Sequence, residues 1–321
     1  MVLENGSIVS SYTRHDVDPS DTFDIMSVTK GLVSLLFGML VDDGLLSLDD
    51  TLGDIFQDDA AWAGVNDGST DFRLSVTIEE LLTHTSGLFD NPEVFPLMGG
   101  QSLQGSLSYP LVGVKGEWAY LMISQIQSYI IKERTGMTPR QYLAENVMGK
   151  LGIGEDEYDW EQNEDRIEMG GGFMHLAPMQ MAKFGQLYLQ GGRTNPFNDD
   201  RLISENWIDA SFTHHATIDV SSIWGVSETS VMGERLQGRP FGYCFYGLYQ
   251  HPSGSTVYCA VGGLVNNMIC VDRYLGRVMI LQREDVPGNP FKSLDLFVDS
   301  SLSFRAPNGG LSGISTVEST E

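Results

Sequence analysis

The sequence predicts an α+β protein: an antiparallel β-sheet assembled from both ends of the chain, with flanking helices and an inserted, mainly helical region. Strand-like stretches rich in aromatic and β-branched residues stand at the N-terminus and again between residues 241 and 283. Helical patterns with recognisable starts and stops fill the interval. The scale fits as well, since 321 residues that are 41% hydrophobic and 19% charged can bury a sizeable core. The expected division is a sheet domain from residues 1–26 with about 205–305, a mainly helical domain over 27–204, and a mobile Gly/Ser/Thr tail over 306–321.

The first element is a hairpin over Met1–Arg14. Asn5-Gly6 supplies the turn between Val2-Leu3 and Ile8-Val9. A long apolar helix follows from about Asp24 to Asp43, with Val28, Leu32, Leu35, Leu36, Met39 and Leu40 on one broad stripe and Gly44 as its left-handed stop. Thr77 and Glu80 have capping-box spacing, so a helix runs from there to about Thr83, and His84-Thr85-Ser86-Gly87 reads as its stop and turn. Residues 88–116 carry Gly, Pro and Ser without periodicity and read as a long surface excursion. Helices are expected at about 121–134 and 139–148, the second opened by Thr138, Pro139 and Gln141. Further helices open at Pro178, closing at Gly191-Gly192, and near Glu205–Ser211. Strands follow at Phe241–Tyr249, Thr256–Val261, Leu264–Asp272 and Arg277–Arg283, with Tyr274-Leu275-Gly276 as a tight connection, and a last helix near Phe291–Leu302.

Composition excludes several functions. Acidic residues outnumber basic ones 43 to 19, a formal charge of −24, which disfavours nucleic acid and anionic lipid surfaces as partners. The longest uncharged apolar stretch near the N-terminus, Gly31–Val41, is too short to span a bilayer, and the first residues lack a secretory pattern, so a cytoplasmic location is the default expectation. Cys244, Cys259 and Cys270 form neither a disulfide framework nor a CxxC pair and are expected to be small core residues. His84, His175 and His214-His215 lack the HExxH pattern and a convincing carboxylate neighbour, so neither a metal nor another cofactor is expected. No GxSxG elbow, P-loop or dinucleotide fingerprint is present, and Asp42-Asp43 and Asp49-Asp50 read as solvated turn charges.

Ser27-Val28-Thr29-Lys30 is the segment that can carry chemistry. Residues three apart on a helix share a face, which puts both side chains together. Lys30 has no charged neighbour over the next eleven positions, surroundings that favour an uncharged amine able to take a proton from Ser27. Chance alone supplies less than one such match among 30 serines and 6 lysines, and a helix lysine that snorkels to water is the plain alternative. What raises it is position: it is the only match, and it opens the most apolar helix in the chain.

Together with Leu81-Leu82-Thr83-His84-Thr85-Ser86-Gly87-Leu88, Gly116-Glu117-Trp118-Ala119-Tyr120 and Met181-Ala182-Lys183-Phe184-Gly185, in that order, this segment resembles the class C β-lactamase-like serine hydrolases. That group takes in DD-peptidases, family VIII esterases and 6-aminohexanoate-dimer-hydrolase-like enzymes, and the resemblance covers roughly residues 1–300. It implies a β-lactamase/transpeptidase-like fold and an acyl-enzyme mechanism. Ser27 is then the nucleophile, Lys30 and Tyr120 share the base role, and the backbone N–H groups of Ser27 and Gly263 form the oxyanion hole. Tyr120 precedes a helix ending in Thr135-Gly136, as the family tyrosine does, although an aromatic that merely starts an amphipathic helix reads the same way. Met122 stands where the family asparagine is expected, and the Tyr120 to Gly136 spacing is one residue short. The family's Lys-Thr-Gly strand is matched by Ala260-Val261-Gly262, followed by Gly263, without a cation; a plain β-bulge is the other reading of the two glycines. With neither the amide nor the cation, a small ester or amide is the expected substrate rather than a β-lactam. The competing expectation is a protein that keeps the fold and binds without turnover. Gly170-Gly171-Gly172 is read as a packing feature with no catalytic role, and the oligomeric state is left open.

Overall fold

The computed structural model describes residues 1–13, 15–56, 72–88, 102–107, 113–120, 124–195, 197, 200–223, 226–262 and 267–282. In chain order the elements are β1 (Val2–Glu4), β2 (Ser7–Ser10), β3 (Phe23–Asp24), a 3-10 turn at Met26–Val28, α1 (Thr29–Asp42), α2 (Leu52–Ile55), α3 (Ile78–Leu82), α4 (Leu103–Leu107), α5 (Gln125–Thr135), α6 (Pro139–Leu143), β4 (Asp159–Trp160), β5 (Met174–Leu176), α7 (Pro178–Leu189), α8 (Glu205–Ser211), β6 (Ala216–Thr217), α9 (Val231–Leu236), β7 (Pro240–Phe241), β8 (Tyr246–Gln250), β9 (Thr256–Gly262), β10 (Asn267–Asp272) and β11 (Arg277–Gln282). This is the expected mixed architecture with a large antiparallel sheet.

The main sheet runs β2-β1-β11-β10-β9-β8-β7-β6, so the N-terminal hairpin pairs with the C-terminal strands. Val2 lies opposite Met279 and Leu3 opposite Val278. The hairpin turn needs two left-handed residues; Asn5 and Gly6 supply φ values of 50° and 80°. Both faces of the sheet are covered. On β9, Tyr258 and Ala260 enter the apolar cluster around α1, and Val257, Cys259 and Val261 enter a second cluster with Trp118, Phe241 and Tyr246. The alternation continues on β10, where Ile269 and Val271 share the first cluster and Met268 and Cys270 the second.

Helix α1 is buried from Thr29 to Leu40. Two glycines let it sit close to its neighbours. A Cβ on Gly31 would lie 2.9 Å from the Ala260 Cβ of β9, and one on Gly38 would lie 2.5 Å from Trp207 of α8. The expected capping boxes at Thr77/Glu80 and Thr138/Gln141 are formed, and α7 instead starts with the Gln180 amide accepting from the Ala177 N–H at 2.8 Å.

Four expectations need revision. The stretch 241–249 is not one strand; a turn at Gly242–Phe245, with Cys244 at φ 63°, splits it into β7 and β8. A second sheet, β3-β5-β4, was not expected, because strands of two or three residues carry no readable periodicity. The long surface excursion contains α4. The cysteines are not all free core residues: the β9–β10 register sets Cys259 directly opposite Cys270, with Cα atoms 4.1 Å apart, and the two form a disulfide, leaving Cys244 as the buried thiol. The expected final helix and tail lie outside the described residues. Among the described residues no helix is long and apolar enough to cross a membrane.

Candidate active site

Ser27 sits in the 3-10 turn that leads into α1, half-buried at the start of the most deeply buried helix. Lys30 lies one turn on and is only 4% exposed. Its Nζ donates to Ser27 Oγ at 3.1 Å and to the Gly171 carbonyl at 2.7 Å. The amine is therefore turned inward onto the hydroxyl, and the snorkelling alternative does not describe it. The Gly170–Gly172 run thus contributes a polar contact that sequence reasoning denied it.

That carbonyl is held in place from several sides. Gln125, at the start of α5, donates through Nε2 to the Glu168 carbonyl at 3.2 Å and accepts from the Gly170 N–H at 3.3 Å. The Trp160 indole N–H is shared between the Met169 and Gly172 carbonyls at 3.0 and 3.2 Å. Asp24 Oδ1 accepts from the N–H of Met26 at 2.7 Å and of Phe173 at 3.1 Å, tying the residue before Ser27 to the residue after the glycine run. Burial raises the Asp24 carboxyl above its ordinary range, against the pull of those two N–H groups and of His175. Gln125 and Asp24 carry no sequence signal for this, because their partners lie 45 and 149 residues away.

Tyr120 is half-buried, with Lys30 Nζ 5.1 Å from its ring centroid. Its backbone N–H donates to Ser222 Oγ at 3.1 Å. Its ring meets His84 edge to face at 5.5 Å, and His84 in turn packs on Phe241 at 4.8 Å and Trp118 at 6.1 Å. His84 is 1% exposed and left-handed, at φ 59°. Burial, and then the Lys30 charge, hold its imidazole well below the usual histidine range, so it stays neutral. Sequence reasoning gave His84 only a helix-stop role; its packing against Tyr120 adds a wall of the site. Burial, and then the neighbouring Tyr120, keep the Tyr246 phenol well above the usual tyrosine range.

Gly262 ends β9 against the nucleophile turn. A Cβ there would lie 2.5 Å from the Ile25 carbonyl, 2.7 Å from the Ser27 nitrogen and 2.8 Å from the Val28 nitrogen. The glycine is required by close backbone approach rather than by a bulge. Ala260, read as the position of the missing cation, faces α1; Val261 faces the Trp118–Tyr120 side, so the strand presents an apolar residue there in either reading. Gly263 and Met122 lie outside the described residues.

A family model described as Beta-lactamase matches residues 1–265. Among solved structures, the putative 6-aminohexanoate-dimer hydrolase from Bacillus anthracis has a similar fold, with a TM-score of 0.70 at 14% identity, over 96% of this chain and 79% of that one. Simvastatin synthase (LovD) from Aspergillus terreus gives 0.66 at 17% identity, over 96% and 94%. In sequence, the monacolin J acid methylbutanoyltransferase of Aspergillus terreus is 29% identical over 162 residues, a match that spans 44% of this chain and 39% of that protein. Fold and family together place the chain among the β-lactamase-fold proteins. The chain belongs to the beta-lactamase family.

Proposed function

We propose that the protein hydrolyses a small ester or amide through an acyl-enzyme on Ser27. The observation that carries this reading is the buried Lys30 amine, 3.1 Å from Ser27 Oγ. In its unprotonated form the amine takes the Ser27 proton as Oγ attacks the substrate carbonyl carbon. The oxyanion is received by the Ser27 N–H and, by family resemblance, the Gly263 N–H. As the tetrahedral intermediate collapses, the carbonyl–leaving-group bond breaks, and Tyr120, in proton exchange with Lys30, protonates the departing oxygen or nitrogen. Water then attacks the acyl-enzyme by the reverse path, freeing the acid and Ser27. The apolar β9 edge offers no cation to pair a substrate carboxylate, which favours neutral substrates over β-lactams.

The methylbutanoyltransferase relative supports a second reading, in which an alcohol rather than water accepts the acyl group. Turnover of a p-nitrophenyl ester with a primary alcohol present separates the two, by whether acid or new ester accumulates. Ser27→Ala should abolish both p-nitrophenyl ester turnover and labelling by a fluorophosphonate probe; unchanged turnover refutes the assignment and leaves a protein that binds without catalysis.

A further inference from the structure

Two residues beside the Ser27–Lys30 pair adopt a conformation that their side chains oppose. Met26 has φ 52° and Phe173 has φ 63°. Left-handed backbone penalises any residue with a Cβ, and such outliers gather at functional sites. Phe173 follows three glycines, none of which takes positive φ, so the strained position falls on the one bulky residue of the run. Neither side chain is folded into the core: Met26 is 44% exposed and Phe173 38%. Their backbones meet at one atom, since both N–H groups donate to Asp24 Oδ1. Met26 directly precedes Ser27, and Phe173 stands two residues beyond the carbonyl that anchors Lys30. Each therefore keeps more than a third of its surface exposed beside the nucleophile turn, apolar surface that a bound ligand would withdraw from water.

We propose that Met26 and Phe173 form an apolar rim, clamped by Asp24, that receives the hydrocarbon chain of the substrate's acyl group. The acyl side is indicated because Met26 directly precedes Ser27, where the acyl group becomes attached, and Phe173 is tied to Met26 through Asp24 Oδ1. The proton donor to the leaving group, Tyr120, instead belongs to the His84–Trp118–Phe241 group. The inference rests on the acyl-enzyme reading above and gives it a substrate class: esters of aliphatic acids longer than acetate.

The test is the ratio of kcat/KM for p-nitrophenyl hexanoate over p-nitrophenyl acetate. Met26→Asn and Phe173→Asn remove the apolar group but keep a side chain that tolerates positive φ. Each methylene withdrawn from water is worth about fourfold, so each single variant should lower the ratio about fourfold or more, and the double variant further. Met26→Gly and Phe173→Gly, which relieve the strain and should fold at least as well, must show the same loss. An active wild type whose ratio stays within about twofold in all of these variants overturns the rim alone. A wild type that turns over neither ester overturns the acyl-enzyme reading, and the rim with it.

Discussion

Gly262→Ala probes the close contact between the end of β9 and the nucleophile turn. The added Cβ would stand 2.5–2.8 Å from three backbone atoms, the Ile25 carbonyl oxygen and the Ser27 and Val28 nitrogens, where ordinary contact begins near 3.4 Å. Backbone cannot rotate away as a side chain can, so strand and turn must part by about 0.6–0.9 Å. Two consequences follow. Overpacking of a filled site costs roughly 1–3 kcal/mol, a fall in Tm of several degrees for a protein of this size. Displacement of the Ser27 backbone by nearly 1 Å should lower kcat/KM by about a hundredfold. The assay pairs p-nitrophenyl acetate kinetics with thermal unfolding. Gly149→Ala is the control, because a Cβ there meets nothing within 4 Å and its φ of −60° is helical; that substitution should leave both readouts unchanged or raise Tm slightly. A Gly262→Ala protein with wild-type kcat/KM would show that this contact does not set the nucleophile's position.

Lys30→Ala should lower kcat/KM by about 10²–10⁴-fold, the usual worth of a positioned acid or base. Tyr120→Phe, which keeps the ring packing on His84 and Lys30, should lose about 10²-fold or more with Tm unchanged; wild-type rates in this variant would remove Tyr120 from the proton path. For His84 the sign is fixed by its depressed folded-state pKa. An unfolded chain takes up the proton as pH falls through 6.5, whereas the folded protein does so only well below that. Stability is therefore full above 6.5 and falls below it, by up to about 1.4 kcal/mol per pH unit. His84→Asn should flatten the fall of Tm between pH 6.5 and 5, and an unchanged slope would contradict the buried neutral imidazole. Thiol titration of the denatured, unreduced protein should find one reactive cysteine, Cys244, and three after reduction; three without reductant would contradict the Cys259–Cys270 bond.

The parts of the fold that read cleanly from the sequence are those written in local chemistry. Asn5-Gly6 fixes a hairpin turn because few residue pairs adopt two left-handed conformations. Thr77/Glu80 and Thr138/Gln141 mark helix starts because each pair closes its own hydrogen bonds. The Ser27–Lys30 contact belongs to the same class, since helical spacing alone brings the two side chains together. What the sequence hid depends on distant partners. The Gly171 carbonyl reaches Lys30 across 141 residues, and nothing in Gly-Gly-Gly states that a carbonyl will point at an amine. The Cys259–Cys270 pair depends on the register of β9 against β10, which odd-number arithmetic on cysteines does not contain. Strands β3, β4 and β5 are too short for a pattern, yet β3 and β5 bring Asp24 to the strained residues beside the nucleophile.

The most direct measurement is intact-mass analysis of the protein quenched during turnover of a p-nitrophenyl ester, followed by peptide mapping. The expected result is a mass increase of one acyl group, carried on the peptide containing Ser27, transient in the wild type and absent in Ser27→Ala. Turnover with no acylated species at any time, or an acyl group on another residue, would contradict it.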